Sequence, residues 1–193
     1  MPWETKFNID EAIDQATEVF WAKGYQSTSL TDLLSAMNIK KGSFYNTFGS
    51  KKALFRKALN KYDDQHRRTI VRGLEKISDP ILSLESFFDL IIEQTLADPD
   101  KKGCLIINTA INLPNYDTET AETIKNGLTE VENYIAKQIS NGVSMGVIKQ
   151  DIAVECVAKT ILALAVSLRV LSRGVFNKDD LFAIKSQAMN LLS

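Results

Sequence analysis

Apolar positions recur at intervals of three and four residues along almost the whole chain, and runs that alternate with period two are nearly absent. The first stripe is Ile9, Ile13, Ala16 and Phe20, which predicts a helix over about 9–23. Asn8 stands ready to cap it, with Glu11 three residues on, and Gly24 follows where a helix end favours a left-handed residue. A second stripe, Leu30, Leu33, Leu34 and Met37, starts from the Ser29–Asp32 capping pair. Asn38 then tolerates a left-handed turn. A short third helix over about 41–47 is closed by Gly49, and Ser50 caps a long fourth over 51–77. Ser78-Asp79-Pro80 restarts the pattern, and helices are predicted over about 80–96, 103–113, 118–141, 151–172 and 178–192.

This is an all-α chain. Its expected organisation is an N-terminal three-helix, helix-turn-helix domain over residues 1–50, a linking helix over 51–77, and a C-terminal helical ligand-binding and dimerisation domain over 78–193. The segment over about 152–172 is apolar over most of its circumference, which requires burial on more than one side.

With 193 residues, the chain is long enough for a sizeable core, and 45% hydrophobic with 24% charged residues is ordinary for a globular protein. The net charge of −1 says nothing about nucleic acid, but its distribution does. Between Leu33 and Tyr62 stand Lys40, Lys41, Lys51, Lys52, Arg56, Lys57 and Lys61 with no Asp or Glu, whereas residues 1–32 carry six acids and two lysines. Such a concentrated basic segment in a neutral protein fits a nucleic-acid surface. A solvated helix face is the plainer alternative.

The short third helix makes the DNA reading specific. Phe44 and Phe48 lie four apart and can anchor one face, turning Lys41, Ser43, Tyr45, Asn46 and Thr47 outward. Lysine suits phosphate or guanine, asparagine suits adenine, and threonine suits the thymine methyl. Gly42 lets the helix start approach another surface closely. Lys51 and Lys52 sit in the first turn of the next helix, where the dipole disfavours cations unless an anion such as a DNA phosphate is present. Lys40 adds charge beside them.

The segment over about 9–55 resembles the TetR/AcrR family of bacterial repressors. The resemblance is densest from Asp32 through Met37-Asn38-Ile39-Lys40-Lys41-Gly42-Ser43-Phe44-Tyr45-Asn46-Thr47-Phe48 to Gly49-Ser50-Lys51-Lys52-Ala53-Leu54-Phe55. Asn38 stands where glycine is usual, Lys40 replaces a serine cap, and Lys52 replaces an acid. The resemblance implies Lys41, Tyr45 and Lys51 as DNA contacts and a homodimer whose last two long helices pair across a two-fold axis. It implies a repressor bound to a palindromic, inverted-repeat operator in double-stranded DNA. The stretch 103–110 looks like one that opens a ligand-domain helix in one branch of the family.

For the effector, Phe87, Phe88, Ile91, Asn108, Asn112, Tyr116 and Tyr134 combine apolar walls with a few polar groups, which favours a small apolar or aromatic compound. Arg169 interrupts an apolar stretch, so it either pairs across the dimer, meets an acidic ligand, or snorkels at an interface edge. Cys104, at a helix start beside Lys101 and Lys102, has the setting of a reactive thiolate, which opens an alternative: a thiol-based electrophile or redox sensor of the same fold. The plainer reading is a small buried hydrophobe. Cys156 reads as core or interface.

Two cysteines make no disulfide framework and fit a reducing compartment. The charged, periodic N-terminus is unlike a secretory signal, and the longest apolar run, 161–168, is too short to span a bilayer. A cytoplasmic protein with no membrane partner is expected. The lone His66, with no carboxylate or cysteine cluster, no phosphate loop and no metal spacing, offers no catalytic group, metal site or cofactor site. The remaining alternative is a helical ligand-binding protein without DNA binding, which would have no use for seven bases and no acid in one stretch.

Overall fold

The computed structural model describes residues 7–193, so the first residues of the expected N-terminal domain and of the stretch weighed as a signal lie outside the described residues. Ten α-helices and no strand are present among those described. Contacts divide the chain into two compact units, residues 1–65 and 66–193.

In the first unit, α1 (Ile9–Lys23) packs against α2 (Leu30–Ala36) and α4 (Lys51–Asp63), with α3 (Lys41–Phe48) set on α4. The ends are fixed by the residues the sequence offers. Asn8 accepts from the N–H groups of Asp10 and Glu11. Gly24, at φ +77°, donates to the Phe20 carbonyl and ends α1. Ser29 and Asp32 form a reciprocal capping box at the start of α2. Asn38 takes φ +51° in the turn before α3, the left-handed geometry that asparagine tolerates better than most residues. The core is aromatic: Phe20 and Phe55 meet edge to face at 5.0 Å between centroids, and Phe44 is fully buried.

The predicted helix over 51–77 is three segments. α4 ends at Asp63, a π-helical turn spans Asp64–Arg68, and α5 (Thr69–Leu74) follows. The five residues of the π-helical turn are all polar and none is buried, so the sequence carries no apolar stripe there to show the change of register.

In the second unit, α6 (Pro80–Leu96) packs on α8 (Thr118–Ser144), α9 (Val154–Leu171) and α10 (Lys178–Asn190). α5 lies on α6, and α7 (Leu105–Ile111) lies on α8 and α9. Leu84, Phe88, Ile92, Ile135, Ile139, Ile161 and Leu168 are buried where the long helices meet. Asp79 with Pro80, Asp117, and the Asn177–Asp180 capping box begin α6, α8 and α10. The helix expected over 103–113 shortens to α7 and a 3-10 turn, Leu113–Asn115, that contains Pro114. The helix expected from residue 151 begins at Val154. Among the described residues no helix is long and apolar enough to cross a membrane.

Candidate nucleic-acid interface

The geometry of α3 follows from two aromatic anchors. Phe44 and Phe48, four residues apart, are buried and 5.8 Å apart between ring centroids. With one face held in the core, the other side carries Lys41, Gly42, Tyr45 and Asn46 exposed and Ser43 and Thr47 half-buried. Tyr45 stands edge to face on Phe44 at 5.2 Å and is still 47% exposed. Lys40 is the N-cap residue and makes no side-chain capping bond, leaving first-turn N–H groups without a side-chain acceptor. At Gly42 no neighbouring group lies within 4 Å of where a Cβ would stand. Packing within the chain therefore does not demand glycine there.

The start of α4 completes the surface. Ser50 accepts from the Ala53 N–H, the expected cap. Lys51 is held over the Tyr25 ring, its Nζ 4.4 Å from the centroid. Burial pushes the Lys51 ammonium below its ordinary pKa, against the pull of the Asp32 carboxylate. Tyr25 itself is packed on Phe55 at 4.8 Å. The sequence pattern passes over Tyr25 because it lies in the turn after α1, outside every periodic stripe. Lys52 is exposed.

The basic run does not act as one group. Lys61 is committed inward to the first unit: its Nζ lies 2.7 Å from Asp14 Oδ1 and donates to the Asp10 carbonyl at 2.8 Å. Asp32 has a similar structural task. Lys23 at 2.7 Å, together with the Ser29 hydroxyl and N–H, holds its carboxyl well below the usual carboxylate range. These contacts brace the turn before α2, while Lys40, Lys41 and Lys52 are exposed.

In the second unit the sequence candidates fall into two groups. Phe87, Phe88, Ile91 and Tyr134 belong to the packed core. Phe87 lies 6.0 Å from Tyr134 between ring centroids. The Tyr134 hydroxyl is 2.7 Å from that of Ser83, and burial raises its pKa to about 12. Cys104, Asn108, Asn112, Tyr116 and Arg169 lie nearer the surface. Arg169 donates to the Gln94 side-chain carbonyl. Asn108 donates to the Lys102 carbonyl at 2.8 Å and accepts from Arg173 at 3.2 Å. Arg173, which the sequence pattern did not single out, also donates to the Lys101 carbonyl at 3.0 Å, fastening the loop before α7 to the end of α9. Cys104 is half-buried at the N-cap position of α7 and makes no capping bond. Asn112 ends α7, and Tyr116 follows the 3-10 turn. Cys156 is exposed on α9, so it is not a core residue. The outward face of α9 also includes the exposed Thr160 and Ala163.

Comparison with known proteins bears on both units. A family model described as bacterial regulatory proteins, tetR family, matches residues 12–58, and one described as tetracyclin repressor-like, C-terminal domain, matches residues 80–180. The HTH-type transcriptional repressor DhaR of Mycobacterium sp. (strain GP1) is 34% identical over 153 residues, covering 78% of this chain and 75% of that protein. The HTH-type regulator YezE of Bacillus subtilis (strain 168) is 28% identical over 180 residues, 91% of each chain. Among solved structures, a cysteine mutant of the TetR family regulator CifR, complexed with 26-base-pair operator DNA, superposes with a TM-score of 0.83 at 26% identity. That match covers 96% of this chain and 97% of the other.

Proposed function

This chain belongs to the TetR family of bacterial DNA-binding transcriptional repressors, and we propose that it reads an inverted-repeat operator as a two-fold dimer and releases it on binding a small apolar or aromatic effector. The observation that carries the DNA part is the α3 surface. Phe44 and Phe48 fix one side of the helix, and Lys41, Tyr45 and Asn46 face outward on the other. In this reading Lys41, Lys51 and Lys52 contact phosphate, with Lys40 nearby. Tyr45 and Ser43 contact the backbone, Asn46 and Thr47 meet base edges, and Gly42 permits the close approach. The likeness to CifR, whose structure is solved with operator DNA, supports operator binding by this chain.

The dimer reading is supported by what one chain leaves open. α9 is apolar on its inward side and carries Cys156, Thr160 and Ala163 outward, and Phe182 on α10 is 42% exposed. A single helix-turn-helix buries too little surface for tight specific binding, so two-fold duplication is expected. Residues 51–77 form the link by which the C-terminal domain acts on the reading helix. The effector works by its differential affinity for two states: a hundredfold loss of DNA affinity needs about 2.7 kcal/mol of coupling.

A second reading rests on Cys104. It is half-buried beside Lys101 and Lys102, on the loop that Arg173 fastens to α9. Modification of its thiol would act on that attachment. Cys104→Ser then abolishes release by electrophiles or oxidants and spares release by a reversible ligand.

Selection of bound sequences from random duplexes tests the main reading. An inverted repeat, bound by a species of twice the chain mass in light scattering, is the expected result. A single asymmetric site bound by a monomer overturns it.

A further inference from the structure

The face of α6 opposite Phe87 and Phe88 borders an open groove of about 510 Å³. Its wall is apolar: Ile70 and Leu74 from α5, Ile77 just beyond it, and Leu90 from α6. Its rim is acidic. Asp89 and Glu93 lie four residues apart on α6 and both line it. Glu93 is exposed and has no ion-pair partner among the described residues.

A glycine opens the groove. Gly73 lies within α5, where glycine is unfavourable relative to alanine, and its φ is not in the left-handed region. No group lies within 4 Å of where its Cβ would stand. Neither backbone geometry nor packing within the chain therefore calls for glycine there. What the missing side chain provides is open space on α5, where Gly73 itself lines the groove.

We propose that this groove binds a small apolar cation, an amine or quaternary ammonium carried on a hydrophobic body. The apolar wall takes the body, and Glu93 and Asp89 face the positive charge, which neither a neutral nor an anionic ligand would exploit. The groove is also tied to α10. Lys185 pairs with Asp89 at 2.5 Å, its side chain only 19% exposed. A cation seated at Asp89 competes with that ammonium and loosens α10 from α6. The proposal gives the seat and chemical class of the effector, and so rests on the reading that the C-terminal unit takes one.

Titration calorimetry of the full chain with tetraphenylphosphonium, and with its near-isosteric anion tetraphenylborate, tests it. The phosphonium is expected to bind once per chain and the borate at least tenfold more weakly. Glu93→Gln, an exposed change that leaves the core untouched, should weaken the phosphonium at least fivefold. Gly73→Phe should abolish binding, and Lys185→Ala should tighten it by removing the competing cation. No phosphonium binding, equal binding of the borate, or an affinity within twofold after Glu93→Gln overturns the proposal. A titration of operator DNA with the phosphonium separates the two readings. If the groove variants behave as stated while operator affinity is unchanged, the groove site stands and its role as effector seat falls.

Discussion

The two units carry their candidate chemistry in opposite ways. On α3 the apolar anchors point in and the polar groups point out, so Lys41, Tyr45 and Asn46 remain accessible after folding. On α6 and α8 the side chains singled out for their chemistry are themselves the anchors: Phe88 is fully buried and Tyr134 is 3% exposed. A helix that reads an external polymer needs one face committed to the core and one uncommitted. A sensing unit of packed helices has few uncommitted side chains, and its accessible space lies where the packing stops, as in the groove beside Gly73. The same amphipathic logic thus exposes the site in one unit and conceals it in the other.

The largest effect expected from this difference is on stability. Phe88→Ala should cost about 3–5 kcal/mol in denaturant unfolding. A cost below about 1 kcal/mol would mean that Phe88 faces a void and belongs to a pocket after all. Next is the outward face of α9. Ala163→Glu should yield monomers in light scattering and weaken operator binding at least about a hundredfold, about 2.7 kcal/mol. A dimer of undiminished affinity would move the interface elsewhere.

Tyr134 gives a smaller, pH-dependent effect. Tyr134→Phe should cost about 1 kcal/mol through the lost hydrogen bond to Ser83. The phenol titrates near 10 when unfolded and at about 12 in the fold, so its contribution is fully present below pH 10 and is lost as pH rises towards 12. The wild type should therefore lose stability faster than Tyr134→Phe across that window in unfolding titrations. Parallel curves would show that the ring is not desolvated. The smallest effect separates two lysines of one basic run. Lys51→Ala should lower the salt slope of DNA binding by about one unit, while Lys61→Ala, which is bound to Asp14, should leave it unchanged. Equal slopes for the two variants would mean that the run acts as undifferentiated charge.

Much of the first unit was legible in the sequence because its determinants are local. The Asn8 cap, the Ser29–Asp32 box, the turn at Asn38 and the four-residue spacing of Phe44 and Phe48 each lie within a few residues of what they control. What escaped was non-local or aperiodic: Tyr25 beneath Lys51, and Lys61 drawn to Asp14 on another helix. In the second unit the helices were legible and the site was not. Apolar stripes place Phe87, Phe88 and Ile91 on a helix, but only tertiary packing decides whether such residues line a space or fill it. Arg173 escaped because its partners, Lys101 and Asn108, lie more than 60 residues away and no periodic pattern connects them. The π-helical turn at Asp64–Arg68 left no mark because its five residues are all polar and none is buried, so no apolar stripe crosses it to show the change of register.

The claim that α3 reads DNA through its outward face is tested most directly by a gel-shift titration of the Lys41→Ala, Tyr45→Ala double variant on the selected operator. Both positions are exposed, so thermal unfolding should match the wild type. The double variant should lose at least about thirtyfold in operator affinity, roughly 2 kcal/mol. An affinity within about threefold of the wild type, below 1 kcal/mol, from a variant equally stable and dimeric, would contradict it.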